Sequence, residues 1–92
     1  MDLQAWSQLS QDEQRKRCQT LNPYEDWPFF KSIEEAFLKE FGEQPGVANV
    51  FCGFGSGLGP INAITVSIKK GAQRTKLPKY FMGFPVLRTY AS

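Results

Sequence analysis

Between residues 29 and 41 the chain reads FFKSIEEAFLKEF. Phe29, Ile33, Phe37 and Phe41 recur at every fourth position, and Phe30 and Ala36 widen the stripe. Lys31, Glu34, Glu35, Lys39 and Glu40 fill the opposite side. This is the pattern of an amphipathic helix. Such a stripe has to be covered, because burying one Phe side chain is worth about 1.5–3 kcal/mol. The residues that follow read as strands, so the covering partner is a sheet. Gly42 suits a left-handed helix C-cap, and Pro45 prevents the helix from resuming.

Upstream, Ser10-Gln11-Asp12-Glu13 forms a capping box. The Ser10 hydroxyl accepts from the Glu13 amide, and the Glu13 carboxylate reaches back to the Ser10 amide. A helix is expected from 11 to about 20, stopped by Asn22-Pro23. Leu3 and Trp6 belong to a separate helical turn. Trp6 has polar neighbours and is the aromatic expected at the surface. Residues 22–28 read as a loop or one short turn, with Asn22 as its cap, Pro23 in first helical position, and Tyr24 and Trp27 either tucked into the core or clamping the connection.

Three apolar stretches follow. Residues 47–54 alternate as a strand, with Val50, Cys52 and Phe54 on one face. In INAITVSIKK, Ile64, Val66 and Ile68 face inward and Thr65, Ser67 and Lys69 outward. The glycine-rich segment 53–60 joins the two as a long hairpin. After a polar loop over 71–79, a third strand spans about 83–90. Pro85 cannot donate to a ladder, so this strand starts there or lies at an edge. The expected architecture is α+β: an N-terminal helical segment (1–21) and one amphipathic helix (29–41) packed on a three-stranded, mainly antiparallel sheet (47–90). At 92 residues this is a single domain, 1–92, able to bury roughly two-thirds of its unfolded surface.

Composition excludes several kinds of chemistry. The absence of histidine removes the usual base near pH 7 and the commonest metal ligand. Cys18 and Cys52 are far apart, with no CxxC spacing, so neither a closed zinc site nor a redox pair is expected. No carboxylate pair sits in an apolar setting that would shift its pKa. The segment Gly53-Phe54-Gly55-Ser56-Gly57-Leu58-Gly59-Pro60 lacks both the G-x-G-x-x-G spacing and the following helix of a dinucleotide site. Residues 55–59 are expected to be mobile and to bind no nucleotide. The reading is no enzyme, no catalytic residue, no metal and no cofactor. The N-terminus MDLQAWSQLSQDEQ has no signal-peptide core, and no apolar run nears the ~18 residues of a membrane span. A cytoplasmic protein with free thiols and no membrane contact is expected.

Charge is unevenly spread. Residues 1–43 hold all nine acids against five bases, a net of −4. From residue 44 onward there are six bases and no acid, a net of +6. The simplest expectation is an acidic helical half compensating a basic sheet half. Within the basic half, Lys69, Lys70, Arg74, Lys76 and Lys79 stand beside Tyr80 and Phe81, the mixture used against phosphates and bases. Lys69, Lys70, Arg74, Lys76, Lys79 and Tyr80 are therefore the candidate binding residues. Two functions are carried forward. The first is a small non-enzymatic interaction module, meeting a protein partner or a second copy through an unpaired sheet edge. The alternative is a nucleic-acid binder using the 69–80 loop.

One family likeness rests on short motifs: Pro45, Gly46 and Val47; Gly53 and Gly55; Val66, Lys69 and Lys70; Pro78; then Gly83, Pro85 and Val86. In these, residues 35–90 resemble a small α+β domain that flanks some trypsin-like peptidases. The resemblance implies a helix over an antiparallel sheet, and it brings no catalytic residue and no ligand.

Overall fold

The computed structural model describes residues 2–56, 59–70 and 75–90, without the side chains of 55, 56, 59 and 60. Helix α1 spans Leu3–Ser7, with Asp2 Oδ1 accepting from the Ala5 amide at 2.8 Å. Helix α2 spans Gln11–Cys18 and begins at Ser10, whose Oγ accepts from the Glu13 amide at 3.2 Å. Only this half of the capping box forms. Glu13 instead pairs with Arg17, Oε2 to Nε 3.2 Å. Asn22 then caps a single turn, its Oδ1 accepting from the Tyr24 and Glu25 amides.

Helix α3 spans Trp27–Phe41. It starts two residues before the expected boundary, because Pro28 lies in the first turn, where a missing N–H breaks no helical bond. Phe29, Phe30, Ile33 and Phe37 are buried as the periodicity requires. Gly42 keeps right-handed helical angles (φ −64°), so the expected left-handed C-cap is not formed; the positive φ falls at Gly46 (90°). There the chain turns into the sheet, and the Gly46 carbonyl accepts from the Lys69 amide at 2.8 Å.

Strands β1 (Val47–Ser56) and β2 (Gly59–Ile68) pair antiparallel, with Cys52 opposite Ile64 and Val50 opposite Val66. Pairing continues to Ser56 and Gly59, so most of the glycine-rich segment is strand. Of the span expected to be mobile, residues 57 and 58 lie outside the described residues. A two-residue strand β3 (Tyr80–Phe81) precedes β4 (Phe84–Tyr90). The sheet is four-stranded in the order β1-β2-β4-β3.

The expected three-stranded, mainly antiparallel sheet is therefore incorrect, and so is the antiparallel sheet implied by the peptidase-flanking resemblance. β4 runs parallel to β2, with Ile64 beside Val86 and Ile68 beside Tyr90. The cause lies in the end of α2. Asn62, near the start of β2, exchanges two bonds with the Gln19 side chain (2.8 and 2.9 Å), and its Nδ2 donates to the Cys18 and Leu21 carbonyls. The carbonyl of Gly83, just before β4, lies 3.2 Å from the Cys18 thiol. Neighbouring residues of α2 thus hold the beginnings of both strands at one end of the sheet, which makes them parallel. The crossover this needs is residues 69–83, long enough for a parallel connection. Pro85 does stand at the beginning of the strand, as expected, opposite Tyr80.

The core is aromatic. Trp6, expected at the surface, is fully buried, with its ring centroid 5.0 Å from Phe29 and 5.9 Å from Phe84. Its indole N–H donates to the Met82 carbonyl at 2.7 Å, which gives the polar end of the ring the partner that burial demands. Tyr24 and Trp27, expected in the core or clamping the connection, are 89% and 43% exposed, so neither is a core residue. The place beside Phe29 is taken by Trp6.

Candidate functional site

Among the described residues, the basic run follows the crossover from the end of β2 to the start of β3. Lys69 and Lys70 are exposed just past the end of β2. Arg74 lies outside the described residues. Thr75 is buried and its Oγ1 donates to the Pro45 carbonyl at 2.6 Å, which ties the middle of the loop to the entry of β1. Lys76 lines a shallow groove of about 610 Å³ with Phe41, Leu77 and Arg88. Lys79 and Tyr80 line another, of about 690 Å³, together with Arg15. The Lys79 carbonyl accepts from Val86, which stands level with Ile64. Lys69 is five positions further along β2, roughly 17 Å at ~3.3 Å per residue. Tyr80 is 45% exposed, but the Arg15 guanidinium lies 4.2 Å over its ring. Of the described candidates, Lys79 and Tyr80 line one groove with Arg15, and the neighbouring groove of Lys76 shares Phe41 and Pro78 with it.

Among the described residues the two charged halves are not joined by ion pairs. Among the described residues the salt bridges are Arg17–Glu13 and Lys31–Glu34, both within one helix. Glu34 has a second role. Its Oε1 accepts from the Cys52 amide at 3.1 Å, on the outer side of edge strand β1. Asn49 Oδ1 accepts from the next outward amide, Val50, at 2.9 Å. Two donors that an added strand would use are thereby occupied. The opposite edge, β3, has only two residues.

The most prominent exposed apolar group lies at the far end of β1. Phe51 and Phe54 are 45% and 50% exposed, and they line a small cavity of about 170 Å³ with Pro23, Tyr24 and Trp27. Phe54 shares a strand face with Val50 and Cys52 by alternation, but it is half exposed where they are buried. The Phe51 ring leans across Gly53, and a Cβ there would stand 2.5 Å from the ring and displace it. Lys31 Nζ sits 4.9 Å over the Trp27 ring. The aromatic richness of residues 23–27 and 51–54 is visible in the sequence. Their meeting is not, because it depends on how α3 crosses β1.

Both cysteines are free and buried. Burial raises the Cys18 thiol pKa, partly offset by a bond from Gln19. Burial, then the Glu34 carboxylate and then Cys18, push the Cys52 thiol up to about 12. A thiol so disposed is a poor nucleophile. Among the described residues no cluster of three His, Cys, Asp or Glu is placed to hold a metal ion, and no helix is long and apolar enough to cross a membrane. The chain matches no family model, no curated protein and no solved structure.

Proposed function

We propose that this chain is a small non-enzymatic protein-interaction module, acting in a reducing compartment such as the cytosol, where its thiols stay unpaired. The observation that carries this reading is the exposed set Tyr24, Trp27, Phe51 and Phe54, assembled from two distant segments around one shallow cavity. Tyr, Trp and Phe are the side chains that interface centres concentrate, and grouped exposure of this kind has a cost that a partner removes. The contact is made by side chains beside the β1 edge, in place of strand addition along it, because Glu34 and Asn49 already occupy outward amides of that edge.

The alternative, a nucleic-acid binder using 69–80, is supported by the composition of the loop; against it, Lys69 stands roughly 17 Å along the sheet from Lys79, and Tyr80 already carries Arg15. The likeness to peptidase-flanking domains adds no ligand to either reading. The test is a Trp27→Ser/Phe51→Ser variant beside the wild-type chain in sedimentation and in capture from the native source. Melting curves of both chains check that the variant is folded, since each of the two side chains is a little under half exposed. The interaction reading expects a captured partner, or concentration-dependent mass, that the variant loses. Equal capture and equal mass for the two chains would refute it. Salt-sensitive binding of single-stranded nucleic acid that Lys76→Ala and Lys79→Ala weaken would put the alternative in its place.

A further inference from the structure

The groove that receives Lys79 and Tyr80 is separate from the aromatic cluster, and its construction is that of a ligand site. Its volume, about 690 Å³, lies within the range of small-molecule pockets, ~300–1,000 Å³. Three parts of the chain enclose it: the α1–α2 joint, the end of α3, and β3 with the turn that follows. Its floor is apolar and held in place. Phe41 and Phe81 pack on the core, their centroids 6.0 Å apart and edge to face, and Phe81 meets buried Phe37 at 5.2 Å.

The wall is cationic. The Arg15 guanidinium lies over the Tyr80 ring, 4.2 Å from its centroid, and a guanidinium carries a fork of N–H donors that matches two carboxylate oxygens. Among the described residues neither Arg15 nor Lys79 has a carboxylate within salt-bridge distance. Gln14, only 6% exposed, also lines the groove. Its Nε2 is spent on the Trp6 carbonyl at 2.9 Å, while none of the described residues donates to its Oε1. Glu40 is the single acid of the lining.

We propose that this groove binds a small organic carboxylate with a flat apolar body. The carboxylate sits on Arg15 and Lys79, and the body lies on Phe41 and Phe81. Two cations facing one acid suit a single negative charge better than a phosphate dianion, which Glu40 would repel.

The experiment titrates the full chain with 2-naphthoate and, separately, with the uncharged 2-naphthylmethanol, following backbone amide shifts. Saturable shifts centred on Arg15 and residues 79–81 are expected with naphthoate, and at least tenfold weaker binding with the alcohol. Arg15→Gln/Lys79→Gln should weaken naphthoate at least tenfold with an unchanged melting curve, because both side chains are exposed. Tyr24→Ala should leave the affinity as it was. Equal affinity for acid and alcohol, an unaffected double variant, or shifts centred on Tyr24, Trp27 and Phe51 would each overturn the proposal. Only the last would bear on the interaction surface, so the two readings fail separately.

Discussion

Met82 and Gly83 have φ of 51° and 89°, two successive left-handed residues between paired Phe81 and Phe84. This is the geometry of a mirror-image two-residue hairpin turn, in which glycine is at ease and methionine is not. Trp6 holds the Met82 carbonyl and Cys18 approaches that of Gly83, so the turn is kept from both sides. A Cβ on Gly83 would lie 2.5 Å from the Gln14 backbone carbon. Gly83→Ala therefore combines positive-φ strain with a backbone clash and should cost about 2–4 kcal/mol in a urea titration; an unmoved midpoint would show that the turn can be rebuilt cheaply. Cys52 makes a second prediction at this scale. Its folded pKa of about 12 exceeds the ordinary 9.0. In the unfolded chain the thiol ionises first, so the stability it confers is complete below pH 9 and declines as pH rises toward 12. The slope is at most about 1.4 kcal/mol per pH unit. Cys52→Ala should flatten the alkaline fall of stability over that window, and a parallel fall in both chains would refute the assignment.

At the scale of elements, α3 was the most legible part of the chain. Phe29, Ile33 and Phe37 are buried because a spacing of four keeps them on one face whatever that face meets. Phe37→Ala should cost about 3–5 kcal/mol, enough to show as a large drop in melting temperature; an unaffected melting curve would contradict its position between Phe41 and Phe81. Edge strand β1 makes a different prediction. Glu34 looks in the sequence like one more charge on the wet side of α3, yet it is almost buried and accepts from Cys52. Glu34→Ala should leave that amide without a partner and cost about 1–3 kcal/mol. It should also raise self-association, read by sedimentation, because an outward donor of the edge becomes available. Stability and mass both unchanged would show that Glu34 is not an edge cap.

At the scale of the molecule, the basic crossover and the sheet order are one question. The loop is long because it must carry the chain back along the sheet to start β4 beside the start of β2. Its cations are consequently set out along that path. Lys69→Gln and Lys70→Gln should each change stability by less than ~0.5 kcal/mol in thermal melts; a larger loss would mean that they brace the crossover. Local order was decided by the sequence alone: the apolar period of α3, the Ser10 and Asn22 caps, the alternation of β2 and the place of Pro85 at the head of a strand. Each depends on residues within one or two turns of one another, where sterics and hydrogen bonding act without regard to the rest of the chain. Tertiary structure decided the direction of β4, the burial of Trp6 in place of Tyr24 and Trp27, and the meeting of Arg15 with Tyr80. These depend on contacts between residues tens of positions apart, such as Gln19 with Asn62 and Trp6 with Met82, and an apolar pattern states that a side chain needs cover without stating what covers it.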